Sequence, residues 1–516
     1  MRTLFCLEIA AILLMTLAFP MQVRSESDFL KKIRDFRRSH EHEILGEFVE
    51  LLSIPNVSSD TENIRRNAEF IKAMMERRGI KTRILETSGN PIIFGELETP
   101  GADRTLMFYV HYDGQPVDPS QWTETSPFRP ALRPGKLIPG STDPKPMPFP
   151  EKGEPIDEDW RIYARGSSDD RAPVIGLLTA LDALRAAGVK LTSNLKFIME
   201  GEEEAGSTNL FPFLKEYRRL LACDALFMCD GPAYYSGDPT LFFGVRGITS
   251  LEITVYGPNT SLHSGHYGNW APNPGVRLAH LLASMRDTDG RVKIDGWYDT
   301  AVPLTESEKR ALKAIPPYET HIKENYGFSC TEQNWENLMQ AIQFPALNLN
   351  GLSSAWVGDQ QRTIIPPCAT AALDIRLVKG NDPADMARKV VDFIKAQGYH
   401  VVGRDPDQAT RMRHPLLAKV RRTEGGYPAY RTSMDLPISR AAIAALRRHS
   451  DRLPVILPSL GGSLPIYMFG DLLKVPIIGI PIANHDNNQH QPDENLRIGH
   501  LWTGIETYAA ILMLEE

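Results

Sequence analysis

Short apolar runs alternate with helical segments along the first half of the chain. Residues 105–110, 195–199 and 225–229 are almost continuously apolar, which is typical of strands buried on both faces of a parallel sheet. Residues 63–78 and 172–187 carry apolar side chains at helical spacing. This alternation predicts an α/β fold with a mostly parallel sheet.

The pattern changes after Phe243. Residues 251–256 and 373–377 alternate apolar and polar side chains, as strands with one solvent-exposed face do. Helices are expected beside them at 274–285 and 383–397, each opening with the proline that a first helical turn tolerates. These features predict an α+β segment inserted into the first domain.

The α/β pattern returns in the last part of the chain. Helices are expected at 439–449 and 501–513, and a strand at 475–480. Gly425-Gly426 has the composition of a hinge. The predicted organisation is a catalytic domain built from residues 26–242 and 429–516, with an inserted α+β domain at 243–428.

The first 25 residues have the pattern of an export signal. Arg2 precedes an apolar stretch at 9–19, and Ser25 provides a small residue near a plausible cleavage point. We expect a cleaved signal peptide and a periplasmic or secreted protein; the alternative is an uncleaved N-terminal anchor. No later segment approaches transmembrane length, so we expect no stable membrane insertion of the mature chain.

The amino-acid composition narrows the class of protein further. The chain has 516 residues, 42% apolar and 23% charged, which are values of a globular protein and exclude intrinsic disorder. Its formal net charge of −7 offers no basic surface for nucleic acid.

Imidazole and carboxylate side chains follow the predicted buried strands. They are His111 and Asp113, then Glu202, Glu203 and Glu204, then Asp230, and finally His485, His490 and Glu494. Asp169 and Asp170 directly precede a helix. Strands of an open α/β sheet present such residues at one edge.

Alone, each of these features has an ordinary structural explanation. A strand-end histidine is usually a satisfied polar residue, a run of glutamates a solvated surface, and an Asp pair before a helix a cap. Together, so many carboxylates at one edge would repel each other unless cations neutralised them. Imidazole and carboxylate without thiolate favour zinc and tolerate manganese or cobalt, and the set is large enough for two metal ions.

Four motifs of the sequence resemble those of a known metallopeptidase family. The family contains aminoacylases, carnosinase-like dipeptidases, succinyl-diaminopimelate desuccinylase and glutamate carboxypeptidases. The resemblance rests on the motifs 111–113 (HYD), 165–170 (RGSSDD), 202–207 (EEEAGS) and His490 with Glu494 four residues later. The segments 348–352 (NLNGL) and 363–366 (TIIP) are most similar to the carnosinase-type dipeptidase branch.

The resemblance implies a role for each of these side chains. Two divalent metal ions would be held by His111, Asp169, Glu204, Asp230 and His490, with Asp169 bridging both ions and joined to Asp170 by a cis peptide. Asp113 would orient His111, as partners of metal-bound imidazoles do. Glu203 would act as the general base. His485 has no implied role, because His490 has Glu494 at the family spacing.

The inserted domain would be a lid and a homodimerisation surface. His263 would stabilise the oxyanion, often from the partner subunit, and Arg376 would pair with the substrate carboxylate. Thr363, Gly462 and Ser463 match further substrate contacts. Without the resemblance, such an arginine is usually a surface ion-pair partner and Gly-Gly-Ser is usually a turn.

The expected function is therefore an exported two-metal hydrolase that cleaves dipeptides or short peptides with a free carboxylate end. An N-acyl-amino-acid amidohydrolase with the same site is the alternative. A non-catalytic exported binding protein is disfavoured because all five ligands and Glu203 are present. Glu424 stands where carnosinase-like relatives tend to have histidine, which leaves the substrate side chains open.

Overall fold

The structure is a computed structural model that describes residues 27–423, 425–464 and 466–515. The predicted signal peptide and Glu424 lie outside these residues. Within the described part, no helix combines the length and the apolar character that crossing a bilayer requires.

The described residues contain helices both between the strands and in consecutive groups. The helices are α1 Asp28–Leu52, α2 Thr61–Arg77, α3 Arg171–Ala186, α4 Leu210–Glu216, α5 Ser264–Tyr267, α6 Pro274–Ser284, α7 Glu306–Lys313, α8 Glu319–Tyr326, α9 Leu338–Ala341, α10 Pro383–Ala396, α11 Gln408–Arg413, α12 Pro437–His449, α13 Tyr467–Leu473 and α14 Ile498–Leu512.

The strands fall into two large sheets and three small ones. They are β1 Lys81–Leu85, β2 Ile92–Leu97, β3 Thr105–His111, β4 Ala131–Arg133, β5 Arg161–Tyr163, β6 Asn194–Glu200, β7 Ala225–Met228, β8 Thr240–Phe242, β9 Gly244–Val245, β10 Gly247–Tyr256, β11 Leu262–His263, β12 Ala346–Ser353, β13 Ile364–Ile365, β14 Cys368–Leu377, β15 His400–Val402, β16 Leu417–Arg422, β17 Tyr430–Arg431, β18 Val455–Leu457, β19 Ile477–Gly479 and β20 Asn495–Arg497.

The larger sheet has eight strands in the order β1-β2-β6-β3-β7-β19-β8-β18. Its centre is parallel: β6, β3, β7 and β19 all run the same way. The apolar run that predicted β3 is buried from Leu106 onward. The α/β prediction with a mostly parallel sheet is therefore confirmed.

Helix α3 forms the centre of the layer that covers this sheet. It packs against α1 and α14, and nearly all of its side chains are buried. Gly176 permits the close approach of α14, since a Cβ there would lie 2.8 Å from the Tyr508 ring. The segment that leads into the start of α3 is thereby held rigidly beside the ends of the parallel strands.

The second large sheet has five strands in the order β12-β14-β10-β16-β15. Helices α6 and α10 pack on it, and each begins at its proline after a side-chain cap from Asn273 or Asp382. Strands β10 and β14 alternate partly exposed and buried residues over much of their length. This is the α+β pattern expected for the inserted segment. Strand β12 lies at the sheet edge and is mostly exposed.

Candidate active site

The functional side chains follow the ends of neighbouring parallel strands. His111 is the last residue of β3, Glu203 begins a short 3-10 turn after β6, and Asp230 follows β7. His490 lies in the loop after β19. Because β3 pairs directly with both β6 and β7, the sheet brings these residues to one edge.

One group of possible metal ligands consists of His111, Asp169 and Asp230. Their ligand atoms all lie within 4.8 Å of one another, and all three residues are buried. The Nε2 atom of His111 is 2.9 Å from Asp169 Oδ1 and 4.0 Å from Asp230 Oδ2.

A second group consists of Asp169, Glu204 and His490, again within 4.8 Å. His490 Nε2 lies 3.0 Å from Asp169 Oδ2 and 3.2 Å from Glu204 Oε2. Asp169 thus directs one carboxylate oxygen to each group. The peptide bond between Asp169 and Asp170 is cis.

The electrostatics of this cluster favour a cation. Burial and neighbouring carboxylates raise the pKa of Asp230 to about 6 and that of Glu204 to about 8. Burial lowers the pKa of His111, but its hydrogen bonds to Asp113 and Asp169 outweigh this and raise it well above the usual value. Glu204 Oε1 is buried without a hydrogen-bond partner among the described residues. The donor set therefore fits divalent metal ions that accept nitrogen and oxygen ligands.

Asp113 connects the two glutamates to His111. One of its oxygens accepts a hydrogen bond from the Glu203 amide (3.1 Å), and the other accepts from the Glu204 amide (3.0 Å) and the Ser58 hydroxyl (2.6 Å). His111 Nδ1 lies 3.4 Å from Asp113 Oδ1. Asp113 therefore orients both the imidazole and the turn that carries the glutamates.

Glu494, which the sequence motif marks without assigning it a role, organises the loop before α3. Its carboxylate accepts five hydrogen bonds. The donors are the backbone amides of Gly166, Ser168 and Asp169, the Ser168 hydroxyl and the Arg165 guanidinium. Glu494 is fully buried, so it holds Asp169 in place without itself contacting the ligand groups.

Glu203 faces a cavity of about 580 Å³ that also contains Asp169, Asp230 and His490. Burial, followed by the charge of neighbouring carboxylates, raises the pKa of Glu203 well above its ordinary value, although nearby His111 opposes this. The cavity provides room beside the acidic cluster for a molecule the size of a dipeptide.

Part of the predicted substrate-binding set meets this cavity. Gly462 and Ser463 line it, and Arg376 Nη1 donates to Ser463 Oγ at 2.9 Å. Tyr427 was not predicted from the sequence. Burial is the main cause that raises the pKa of its hydroxyl to about 12, and the charges of Glu203 and Arg376 also act on it.

His263 and Thr363 lie elsewhere. Both are exposed, and neither lines the cavity that contains Glu203. They are neighbours, since the Ser264 amide donates to the Thr363 carbonyl at 3.0 Å. Within one subunit the structure does not bring them to the acidic cluster. His485, in contrast, lines the cavity and packs against Tyr235.

Comparisons with known proteins agree on the family. The sequence profile of peptidase family M20/M25/M40 matches residues 107–514. The chain is 27% identical over 487 residues to the Cys-Gly metallodipeptidase DUG1 of Saccharomyces cerevisiae, covering 89% of this chain and 93% of that protein. It is also 27% identical over 431 residues to the human Beta-Ala-His dipeptidase, covering 82% and 77% of the two chains.

Solved structures show the same architecture. An M20 family metallo-carboxypeptidase, Sso-CP2 from Sulfolobus solfataricus, superposes with a TM-score of 0.70 at 28% identity over 92% of this chain and 99% of that chain. Human carnosine dipeptidase 1 has the same fold, with a TM-score of 0.71 at 22% identity over 95% and 99%. The fold and the paired ligand groups define a metal-dependent peptidase. The chain belongs to peptidase family M20/M25/M40.

Proposed function

We propose that this peptidase hydrolyses the amide bond of dipeptides or short peptides that carry a free carboxylate end. The observation that carries the proposal is the cavity in which two ligand groups share Asp169, with Glu203 beside them and the Arg376–Ser463 contact at the wall. Relatives named as Cys-Gly and Beta-Ala-His dipeptidases support the choice of substrate.

Two divalent ions would be held by the clustered side chains. His111 and Asp230 would bind one ion, Glu204 and His490 the other, and Asp169 both. Nitrogen and oxygen ligands without thiolate favour zinc and tolerate manganese or cobalt. The chemistry supplied by such ions when bound is polarisation of the scissile carbonyl and a lower pKa for the attacking water.

Glu203 would move the proton. Its position in the cavity beside Asp169, Asp230 and His490 suits a group that first accepts a proton from the attacking water and then passes it to the amine leaving group. Asp113 accepts a hydrogen bond from the Glu203 amide and orients His111. The general base and the metal ligand His111 are therefore positioned by the same carboxylate.

Arg376 would bind the free carboxylate of the substrate. The Arg376 side chain is 34% exposed, and its guanidinium lies 3.4 Å from the Asp374 carboxylate and donates to Ser463. Donors therefore remain available for a bidentate contact with a carboxylate. Gly462, which lines the same cavity, would provide a further contact, whereas Thr363 would provide one only from the other subunit of a dimer.

The alternative is an N-acyl-amino-acid amidohydrolase, which needs the same ions, base and carboxylate contact. A panel of dipeptides and N-acetyl amino acids tests the choice with purified protein, before and after chelation and after restoration with zinc or manganese. We expect metal-dependent hydrolysis of dipeptides. Hydrolysis of only the acylated compounds would instead establish the deacylase, and bound metal without any turnover would favour a binding protein.

We also propose that two subunits pair through the second sheet, so that His263 of one subunit reaches the cavity of the other. Strand β12 is an exposed sheet edge with Leu349 and Leu352 exposed, and Trp356 and Val357 follow it, also exposed. An apolar edge strand of this kind is a natural surface for pairing with another chain.

Export remains a proposal that rests on the pattern of residues 1–25. Expression of the full chain followed by fractionation and N-terminal sequencing of the product tests it. A protein recovered outside the cytoplasm that begins near Ser25 would support cleavage after export.

A further inference from the structure

We infer that an aromatic pocket at the metal cluster binds the first residue of the substrate, and that the enzyme selects dipeptides whose first residue has a large apolar or aromatic side chain. The inference rests on the proposed dipeptidase function and adds the substrate class. We call this part of the cavity the aromatic pocket; Tyr235, Tyr326, Met339 and His485 line it, and Tyr318 supports it by stacking on Tyr235.

Two members of the pocket come from the loops that carry metal-ligand candidates. Tyr235 lies five residues after Asp230, and His485 lies five residues before His490. Their rings contact each other with centroids 4.4 Å apart, and both line the cavity that contains Glu203. The pocket therefore adjoins the position of the scissile bond.

The remaining members come from the segment inserted between the two parts of the larger sheet. Tyr318 stacks on Tyr235 with a centroid distance of 5.5 Å. Tyr326, on α8, and Met339, on α9, both line the cavity. Aromatic and thioether groups in this arrangement pack well against another apolar or aromatic side chain.

The residues that line the cavity offer a charged side chain no partner beyond the carboxylates of the metal site. Among the described residues that line the cavity there is no lysine or arginine, and the carboxylates are Asp169, Glu203 and Asp230, which belong to the metal and proton chemistry. Burial lowers the pKa of His485, so its imidazole is neutral at pH 7. A charged side chain on the first residue would be desolvated without compensation.

The orientation of the substrate follows from the other contacts. If Arg376 and Ser463 hold the free carboxylate, the second residue lies on their side of the scissile bond. The first residue then has to occupy the rest of the cavity, where Leu338, Ile342 and Leu460 extend the apolar lining. A glycine or β-alanine in this position would leave that lining uncovered.

The test compares dipeptides that differ only in the first residue, using the metal-loaded enzyme. With glycine as the second residue, we expect kcat/KM for Phe-Gly and Leu-Gly to exceed that for Gly-Gly, Asp-Gly and Lys-Gly by about 100-fold, the range that differences in apolar side-chain contact provide. Equal or faster hydrolysis of Gly-Gly or Asp-Gly would overturn the inference but leave the dipeptidase proposal intact. No hydrolysis of any dipeptide would remove both.

A variant series assigns the selectivity to the pocket. Tyr235→Ala should lower the ratio of kcat/KM for Phe-Gly to kcat/KM for Gly-Gly about 10-fold or more, since only the large side chain loses contacts, while Tyr235→Phe should retain the ratio. Tyr217→Ala, at a tyrosine outside the cavity, is the control. An equal loss with Phe-Gly and Gly-Gly would contradict a specificity role, and the wild-type comparison decides the inference even if Tyr235→Ala does not fold.

Discussion

Glu494 shows how much one buried carboxylate can determine. Its carboxylate accepts hydrogen bonds from the backbone amides of Gly166, Ser168 and Asp169 in the loop before α3. It also pairs with Arg165 at 2.7 Å. Both side chains of this ion pair are almost completely buried. The position of Asp169, on which both ligand groups depend, is therefore coupled to a residue more than 300 positions away in sequence.

Glu494→Gln should destabilise the fold and weaken metal binding together. The amide would present an NH₂ group to backbone donors and leave Arg165 charged and unpaired, at a cost of about 3–5 kcal/mol. Metal affinity should fall by about 10–100-fold, which is the effect of altering a residue that hydrogen-bonds to a metal ligand. Denaturant unfolding of the metal-free protein and metal titration measure the two effects.

The control is Glu252→Gln, which alters an exposed pair with Arg421 at 3.5 Å. Exposed pairs contribute about 0–1 kcal/mol. If both variants changed the free energy of unfolding equally, the special role of Glu494 would be wrong.

Glu203→Gln should abolish turnover and leave metal content unchanged. A general base contributes about 10²–10⁴-fold to the rate, and the amide has no basic oxygen to accept the proton. The neighbouring Glu202→Gln is the matched control, since Glu202 only holds the Asn209 side chain. Metal analysis beside kcat separates the two roles; retained activity in Glu203→Gln would rule out Glu203 as the base.

His500 makes the stability of the protein depend on pH. Burial lowers its pKa to about 4, against about 6.5 in the unfolded chain. The unfolded state therefore binds more protons between these values, so the contribution of neutral His500 is complete above pH 6.5 and is lost as the pH falls towards 4.

Between about pH 7 and pH 4.5, the wild type should lose roughly 2–3 kcal/mol more stability than His500→Gln. Glutamine retains an N–H group for the Ile482 carbonyl that His500 Nδ1 contacts at 3.1 Å and does not titrate. Unfolding of the metal-free proteins across this pH range measures the difference. Parallel pH profiles would show that His500 is not the responsible group.

At the scale of secondary structure, β19 is positioned by close contact with β8. Gly479 is paired with Phe242, and a Cβ at Gly479 would lie 2.0 Å from that ring. The same strand runs parallel to β7 and leads into the loop that carries His485 and His490. A side chain at this glycine would have to displace a buried aromatic ring.

Gly479→Ala should therefore destabilise the protein by about 1–3 kcal/mol, as overpacking of a core does. Gly403→Ala is the control, because nothing lies within 4 Å of a Cβ there and surface substitutions change stability by about 0.5 kcal/mol or less. Thermal unfolding of both variants gives the comparison. A Gly479→Ala protein as stable as the control would mean that β8 and β19 separate easily.

The long elements were predictable because each carries its own periodic pattern. The helix expected at 63–78 is α2 Thr61–Arg77, and the strand expected at 195–199 is β6 Asn194–Glu200. The strand expected at 475–480 is only β19 Ile477–Gly479, because its ladder with β7 covers just these three residues and β8 meets it at Gly479 alone. Short helices such as α8 and α9 were not predicted, since they are too brief to show a period and depend on tertiary contacts.

At the scale of the whole molecule, the proposed dimer would account for a role of the exposed His263 in the active site. If two subunits pair through the exposed edge strand β12, Leu349→Glu should leave the protein monomeric because a charge there opposes strand pairing. Analytical ultracentrifugation measures the state. Leu453→Glu, at another exposed leucine, should leave it unchanged; a wild-type monomer would refute the dimer.

A mixing experiment tests the shared site itself. Homodimers of His263→Ala and of Glu203→Gln should each be inactive. Mixed dimers contain one site in which both native residues meet, so complete random exchange of an equal mixture should return about a quarter of the wild-type activity. No recovery after proven exchange would place His263 outside the partner's site.

The sequence alone determined the fold class, the buried strands β3, β6 and β7 and the residues that follow them. It could do so because buried parallel strands are continuous apolar runs and because His111, Asp169, Glu204, Asp230 and His490 lie in recognisable local motifs. The structure then brings these five residues into two groups that share Asp169. Local pattern is sufficient where a residue's position depends mainly on the strand that precedes it.

Only the tertiary structure decided the support of the metal cluster and the lining of the cavity. The contact of Glu494 with Asp169 and the contact of Tyr235 with His485 join residues hundreds of positions apart. Neither has a periodicity or spacing that a single sequence displays. Such contacts depend on how α3, the strand-end loops and the inserted segment pack together, and that packing determines which peptide the site accepts.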